Sequence, residues 1–507
     1  MNLFFLRPRL APGFRALATL VPAVLAVAAG CGSHEKASNG SAGTGGASGS
    51  GGAGGAVASS SGGPATTSSA TSTSTSSSSA GASSSSSTSS GAPIDVCGAA
   101  SGTLAWAASI PASASGLALV DIQAGPTNDV VVADRAGTNT FEQHRWSSAG
   151  ALLSTHQDPP GAYTGPMFTS GLFIDPQNDA FYGVLHTGPQ GASTGVELLW
   201  NRVTPAGGLA FSQPSTAALP TAGGAPSVTF FQAGGDATNN LHGAFLMASP
   251  AYLPDGVYCY LADGTNLGAS GEGVTSTLTA RDFLWPSQDN GLVLWRPLTA
   301  TTSLGCSSPL TVPAAGGVAL AKLTASAGCT WDKLLALPTA AVKASNFRLG
   351  ADGSMLAAVV FAGTVDFGGG PLESAGTDAL ALARFDSGGN LLWAKQLGGA
   401  GASFTLGSVG ANASGEVVLT AGYAGAVDLG GGPLPTTSDT LLAVFTSAGA
   451  LKWSKTVAVG AQGGLVAAAG KCGLVLATNS PIVNLGGGPL SVVTGGVASI
   501  GVAALGM

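Results

Sequence analysis

The sequence predicts an all-β fold: a seven-bladed β-propeller of four-stranded antiparallel blades, closed by its own N-terminal strand. The first observation behind this is repetition. VDFGGGPL at Val365 returns as VDLGGGPL at Val427 and VNLGGGPL at Val483, and LLW at Leu391 is answered by LKW at Leu451. Pro371, Pro433 and Pro489 are 62 and 56 residues apart (433 − 371, 489 − 433), and Trp331, Trp393 and Trp453 are 62 and 60 apart (393 − 331, 453 − 393). A period near 60 with strand-and-turn content marks a β-repeat array.

The second observation is a pair of marks that alternate along the chain. A polar or glycine turn followed by a strand occurs seven times: Asn128-Asp129, Asn178-Asp179, Asn240, Asp289-Asn290, Asp352-Gly353, Ser414-Gly415 and Cys472-Gly473. A strand, a small-residue turn and a second strand occur six times, as in HRWSSAGALL, ARFDSGGNLLW and AVFTSAGALKW. The third observation explains the missing seventh. VASIGVAALGM, from Val497, is the strand before such a turn, and there the sequence stops. TLAWAAS, Thr103 to Ser109, has the spacing and Trp of the later outer strands with nothing before it. The two ends complete one unit if Thr103–Ser109 pairs antiparallel with Val497–Leu505, which also removes an unpaired sheet edge. The 414 residues from Ile94 (507 − 94 + 1) then give about 59 per blade. A β-solenoid needs a shorter repeat, and neither a solenoid nor a sandwich pair explains why the two ends complete one unit.

Residues 1–30 read as an export leader rather than as fold. Arg7, Arg9 and Arg15 precede an apolar run from Ala16 to Ala29, and the run ends AAGC at Cys31. This resembles the lipobox of a bacterial lipoprotein, which implies lipidation of Cys31 and a membrane partner through that lipid. No Asp follows Cys31, so an outer-membrane or surface location is expected, with secretion the alternative. Residues 31–93 form a linker. Its Ala37–Pro93 portion carries no charged or aromatic side chain, cannot offset chain entropy by burial, and is expected to be a disordered Ser/Gly/Ala/Thr stalk. Its 57 residues (93 − 37 + 1) would span roughly 40 Å. The folded part is then 94–507.

Composition narrows function. Charged residues are 8% of the chain, and 18 basic side chains without a cluster exclude a nucleic-acid surface. Beyond the leader no apolar run is long enough to span a bilayer. A monomer is expected.

The segment VDFGGG…DALALARFDSGGNLLWAKQLGG resembles the bacterial β-propeller repeat called SBBP, and the match runs from about Ala327 to the C-terminus. Before Thr301 the VD-GGG segment is absent, and LGCSSPL at Leu304 is a degraded copy. The resemblance implies a propeller in an extracytoplasmic setting. It brings no catalytic residues with it.

Motifs with chemical potential have plainer readings. The triplets Gly368–Gly370, Gly430–Gly432 and Gly486–Gly488 lack the following helix that a phosphate loop requires, so they read as tight loops needing φ > 0. Asp366 and Asp428 recur before them and are expected to cap those loops. Gly470-Lys471-Cys472 has Cys in place of the Ser/Thr of a Walker motif and is a turn. The Gly389-to-Trp393 spacing is similar to that of quinone-dependent propellers, but the longer docking motif is missing, so Trp393 and Trp453 are assigned to packing between blades. His34, His144, His156, His186 and His242 include no HExxH and no close pair with metal-ligand spacing, and no GxSxG elbow occurs. No cofactor and no metal are expected.

The function expected from these observations is a surface-anchored or secreted lipoprotein whose propeller is a non-enzymatic binding or scaffolding module for envelope protein or glycan. The alternative is an extracytoplasmic propeller enzyme of lyase, glycosidase or quinoprotein type. Unlike polar residues at the channel mouth would favour the enzyme. An uncharged Ser/Thr/Gly channel would favour binding. The loops HQDPPGAYTGPMF, HTGPQGAST and FSQPSTAALPTAGGAPS are long and unlike, and by strand order fall on the face opposite the polar turns. Contact residues expected there are His156, Asp158, Tyr163 and His186. Cys97 and Cys472 fall at the same end of the last blade and are expected to form a disulfide, as an exported protein permits. Cys306 and Cys329 fall at opposite ends of their blade, which argues against their pairing; the state of Cys259 is open.

Overall fold

Short apolar strands bounded by Gly and Asx turns fold here as successive antiparallel hairpins. The computed structural model describes residues 94–507 except 111–116, 137–139, 159–166, 188–195, 215–226, 236–240, 249–254, 261–265, 273–282, 288, 290, 307, 325–328, 376–377, 436–438, 460–464, 480–481, 485–488, 492, 495–496 and 499. The leader and linker expected in residues 1–93 lie outside the described residues.

Each repeat is a four-stranded antiparallel meander. The first sheet runs Leu117–Ala124, Val130–Ala136, Thr140–Trp146, Leu152–Gln157. In the second, Met167–Thr169 and Phe173–Ile174 share the partner Ala180–Thr187, and Val196–Val203 and Leu209–Pro214 follow. The third is Ser227–Gly235, Leu241–Ala248, Asp255–Tyr260, Asn266–Glu272, and the fourth is Phe283–Pro286, Gly291–Leu298, Gly317–Thr324, Cys329–Leu335. The fifth is Val342–Leu349, Met355–Phe361, Ala379–Phe385, Leu391–Leu397, and the sixth begins Ser403–Ala411, Val417–Ala424, Asp439–Phe445, Leu451–Val459.

The terminal sheet joins the two ends of the folded part. Leu465–Ala469, Gly473–Thr478 and Ile500–Gly506 are completed by Leu104–Ile110, which runs antiparallel to Ile500–Gly506 from the pair Leu104/Leu505 to the pair Ile110/Ile500. Gly102 donates to the Gly506 carbonyl at 2.8 Å, and Gly506 donates to the Thr103 carbonyl at 3.0 Å. A disulfide between Cys97 and Cys472 fixes the same corner, with Cα atoms 4.9 Å apart.

Apolar cores lie between consecutive sheets, which is why the middle strands are apolar without alternation. Met355–Phe361, Ala379–Phe385 and Ile500–Gly506 are buried along their whole length. One core fills the space between the fourth and fifth sheets around Trp295, Phe347 and Phe385, and the next fills that between the fifth and sixth around Leu382, Leu419 and Phe445. Another packs Trp106, Val475 and Val502 of the terminal sheet on Val130, Val132 and Trp146 of the first.

First strands of neighbouring sheets are tied by polar side chains. Leu172 N–H donates to Asp121 (2.8 Å), Asn346 Nδ2 donates to the Gly407 carbonyl (2.9 Å), and Ala467 N–H donates to Ser408 Oγ (2.8 Å). The triplets Gly368–Gly370 and Gly430–Gly432 are loops on short side hairpins, and Gly486–Gly488 lies outside the described residues. Asp366 Oδ1 accepts from Gly368 and Gly370 N–H (2.7 and 3.0 Å), with φ of 101° and 108° at those glycines. Asp428 does the same for Gly430 and Gly432.

One expectation is corrected. Cys306 and Cys329 form a disulfide, with Cα atoms 4.9 Å apart. Strand order does place the Leu298 and Cys329 ends of their strands at opposite ends of the sheet. The connection after Leu298 is long, however, and pairs Thr302 with Leu310 as its own small hairpin. Eight residues from Leu298 to Cys306 can extend about 26 Å, the length of an eight-residue strand, so the hairpin tip reaches the other end.

Candidate functional site

The ends of the first strands meet around a cavity of about 420 Å³. Every sheet contributes to its wall: Gln123 from the first, Ile174 from the second, Gly234 from the third, Trp285 from the fourth, Arg348 from the fifth, Ala411 from the sixth and Ala469 from the terminal sheet. It opens beside the polar turns, since Asp289, Asp352 and Gly353 also line it. Small residues at strand ends leave the space, and a few long polar side chains enter it.

Arg348 is the central one. It is the second-last residue of Val342–Leu349 and its guanidinium lies over the Trp285 ring, 5.4 Å from the centroid. It also reaches Asp121 of the first sheet, Nη2 to Oδ1 3.8 Å. Asp121 is buried and already accepts from the N–H groups of Ile122 and Leu172. The side chain of Arg348 remains 25% exposed, so part of its donor fork faces the cavity. A guanidinium held between an indole and a carboxylate is preorganised to receive an acceptor oxygen.

The rim carries ion pairs that recur with the repeat. In each case an acid at the turn after the first strand meets a base on the third strand. Arg145 pairs with Asp129 (3.3 Å), Arg202 pairs with Asp179 (2.8 Å), Lys322 pairs with Asp289, and Arg384 pairs with Asp352. Burial works to raise the Asp289 pKa, but hydrogen bonds from Lys322 and Ser287 and the Lys322 charge hold it below the ordinary carboxylate value. At Asp179 burial prevails over Arg202 and the pKa is raised. Asn128 and Asn178, at φ 62° and 72°, turn the chain beside these pairs, and Asn178 Nδ2 donates to Asp129 at 2.7 Å.

Of the residues expected from sequence, His156 and Asp158 are described in full and do not line this cavity. His156 is on the fourth strand of the first sheet, its Nε2 3.3 Å from Asp158 Oδ1 and its Nδ1 3.1 Å from the Gly207 carbonyl. Asp158 is buried and also accepts from Tyr182 Oη at 3.0 Å. The two are therefore brought together, but as a bridge between the first and second sheets. The backbone of His186 pairs with Met167 and Glu197, and Tyr163 lies outside the described residues, as do most of the three long loops. Sequence reasoning passed over Arg348 and Asp121. A usable signal existed: with Lys343, they are the only charged residues on the first strands among the described residues.

No family model matches the chain, and no curated protein matches it. Solved structures do. A PL25 ulvan lyase bound to -[GlcA(1-4)Rha3S]- is 9% identical over 73% of this chain and 93% of its own, with a TM-score of 0.40. A protein of unknown function from Dyadobacter fermentans is 11% identical over 67% of this chain and 94% of its own (TM-score 0.36). An α-L-arabinanase from Penicillium chrysogenum complexed with arabinobiose is 12% identical over 78% of this chain and 96% of its own (TM-score 0.30). At these values the likenesses carry neither an activity nor a substrate to this chain.

Proposed function

We propose that the chain is a cell-envelope lipoprotein whose sheets close as a seven-bladed β-propeller and act as a non-enzymatic binding module. Closure is supported by first strands that pack on one another in succession, with Leu465–Ala469 in turn against Leu117–Ala124. Residues 1–30 are the leader, Cys31 the lipidated residue and 31–93 the stalk in this reading. Palmitate labelling of the protein made in a bacterial host should be lost in Cys31→Ser.

The single observation that carries the binding reading is the cavity where the first strands end, with Arg348 poised in it between Trp285 and Asp121. Its ligand is a polar, acceptor-bearing molecule such as an envelope glycan. One observation favours the enzymatic alternative of a lyase or glycosidase: the cavity is lined by unlike charged residues rather than by Ser, Thr and Gly alone. Against it, Asp121, Asp289 and Asp352 are each committed to a cation. A carboxylate held in an ion pair is not free to exchange a proton with a substrate, as general acid or base catalysis asks.

Calorimetry with envelope polysaccharide fractions, run beside assays for unsaturated products and new reducing ends, separates the readings. Binding without product, weakened at least tenfold in Arg348→Ala (about 1.4 kcal/mol), is expected. Product formation would establish the enzyme, and unchanged affinity in Arg348→Ala would move the site elsewhere.

A further inference from the structure

Away from the cavity, the first sheet holds a cluster that its packing leaves unexplained. Asp134 stands directly opposite Glu142 across the second and third strands, and His144 stands opposite Val132, two pairs along. The two-residue period of a strand puts all three on one face, the face whose Val130, Val132 and Trp146 pack on the terminal sheet. Asp134 is fully buried, and neither of its carboxylate oxygens has a hydrogen-bond partner. A buried carboxylate without donors is costly unless a cation compensates it.

The geometry around His144 points the same way. Nε2 is 3.3 Å from Asp134 Oδ1 and 3.5 Å from Glu142 Oε2, yet it is aligned for a hydrogen bond with neither. Three ligand atoms thus converge within 4.8 Å of one another. Bonds of about 2.1 Å in a tetrahedral site place neighbouring ligand atoms about 3.4 Å apart, which matches both separations. The outer contacts also resemble those of a metal ligand set. The far ring nitrogen of His144 is 3.4 Å from Thr155 Oγ1, and the other Glu142 oxygen accepts from Gln157 Nε2 at 2.7 Å, leaving Oε2 turned inward.

We propose that Asp134, Glu142 and His144 form a binding site for one divalent transition-metal ion of the zinc class. Two carboxylates and one imidazole supply three ligands, and a water supplies the fourth from the side where His144 and Glu142 are partly exposed. The competing state is metal-free. There burial works against a charged imidazole, but the two carboxylates outweigh it and push the His144 pKa up to about 9, so that an imidazolium offsets one of their two charges.

The full chain, stripped with chelator, should be titrated with Zn²⁺ by calorimetry and with Co²⁺ by visible absorption. One equivalent of Zn²⁺ with a dissociation constant below about 10 μM (about 7 kcal/mol), and the intense visible bands of tetrahedral Co²⁺, are expected. Both should disappear in His144→Gln and in Glu142→Gln, whose side chains are partly exposed and whose folding is checked by circular dichroism. Absence of binding in the parent chain, or an undiminished equivalent in either folded variant, would overturn the site and leave the imidazolium pair in its place.

Discussion

Gly449, at φ 81°, lies against the indole of Trp393, so close that a Cβ there would come within 2.8 Å of Cδ2. Trp393 is on the fourth strand of the fifth sheet and Gly449 is in the outer turn of the sixth. The indole N–H donates to the Ser447 carbonyl in the same turn at 3.0 Å. This contact recurs. Gly389 meets Trp331 at 2.6 Å and Gly150 meets Trp106 at 2.7 Å, with Trp106 Nε1 donating to the Ser148 carbonyl at 2.8 Å. Where the last turn is split across the chain ends, Gly102, at φ 71°, takes the same place against Trp453.

Gly449→Ala should therefore cost stability twice. A left-handed backbone at a non-glycine residue costs about 1 kcal/mol, and overpacking against a fixed ring adds about 1–3 kcal/mol. Thermal unfolding should show a clear drop in midpoint. Gly388→Ala, next to the corresponding Gly389 turn position, meets only side-chain ends at 3.3 Å and should shift the midpoint little. Equal shifts for the two would show that the ring contact does not matter.

Removing residues 94–114 should strip the fourth strand from the terminal sheet. Ile500–Gly506 would then expose an unpaired edge, and Trp106, 3% exposed, would leave the core it shares with Val130 and Val502. A chain beginning at Ser115 is expected to melt well below one beginning at Ile94 and to associate at lower concentration. Matching melting curves and matching sedimentation would refute this.

The four-stranded meanders and the pairing of the chain ends were legible because they rest on local chemistry: turn residues at fixed offsets, apolar runs between them, and a Trp repeated with its Gly. The two glycine triplets after Asp366 and Asp428 were legible for the same reason, since an Asx cap is a contact between near neighbours. The cavity was not. Arg348, Trp285 and Asp121 come from three sheets, and nothing in their spacing announces that they meet. Asp134, Glu142 and His144 were hidden differently, because strand pairing rather than a sequence motif sets their spacing. The Cys306–Cys329 bond was missed because strand order ignores where a long connection can fold back.

Two disulfides of very different span allow a comparison within one chain. Cys97 and Cys472 are separated by 375 residues, and Cys306 and Cys329 by 23. In the chain-entropy account the larger loop stabilises by about 2.5 kcal/mol more. Cys97→Ser with Cys472→Ser should lower the denaturation midpoint more than Cys306→Ser with Cys329→Ser. The first pair also loses the contacts of Asn128 Nδ2, which donates to Cys97 Sγ at 3.4 Å and to Cys472 Sγ at 3.7 Å. A larger loss from the short loop would mean that local packing, not chain entropy, governs both.

Arg384 and Asp352 test whether the recurring turn-to-third-strand pairs hold the repeat together. Arg384 is 7% exposed, donates to Asp352, and reaches the Ser447 carbonyl of the next sheet at 2.5 Å. Gly415 sits over it, where a Cβ would meet Nη2 at 2.3 Å. Replacing one partner leaves the other largely buried without its counter-charge, so Arg384→Met should cost about 3 kcal/mol. Asp352→Asn should cost less, because the amide still accepts a hydrogen bond and the Ser447 contact survives. If the pair acts as a unit, the double variant will be less destabilised than the sum of the two singles, by about 1 kcal/mol or more. Additive losses in a denaturation cycle would show instead that Arg384 works through Ser447 and its packing alone.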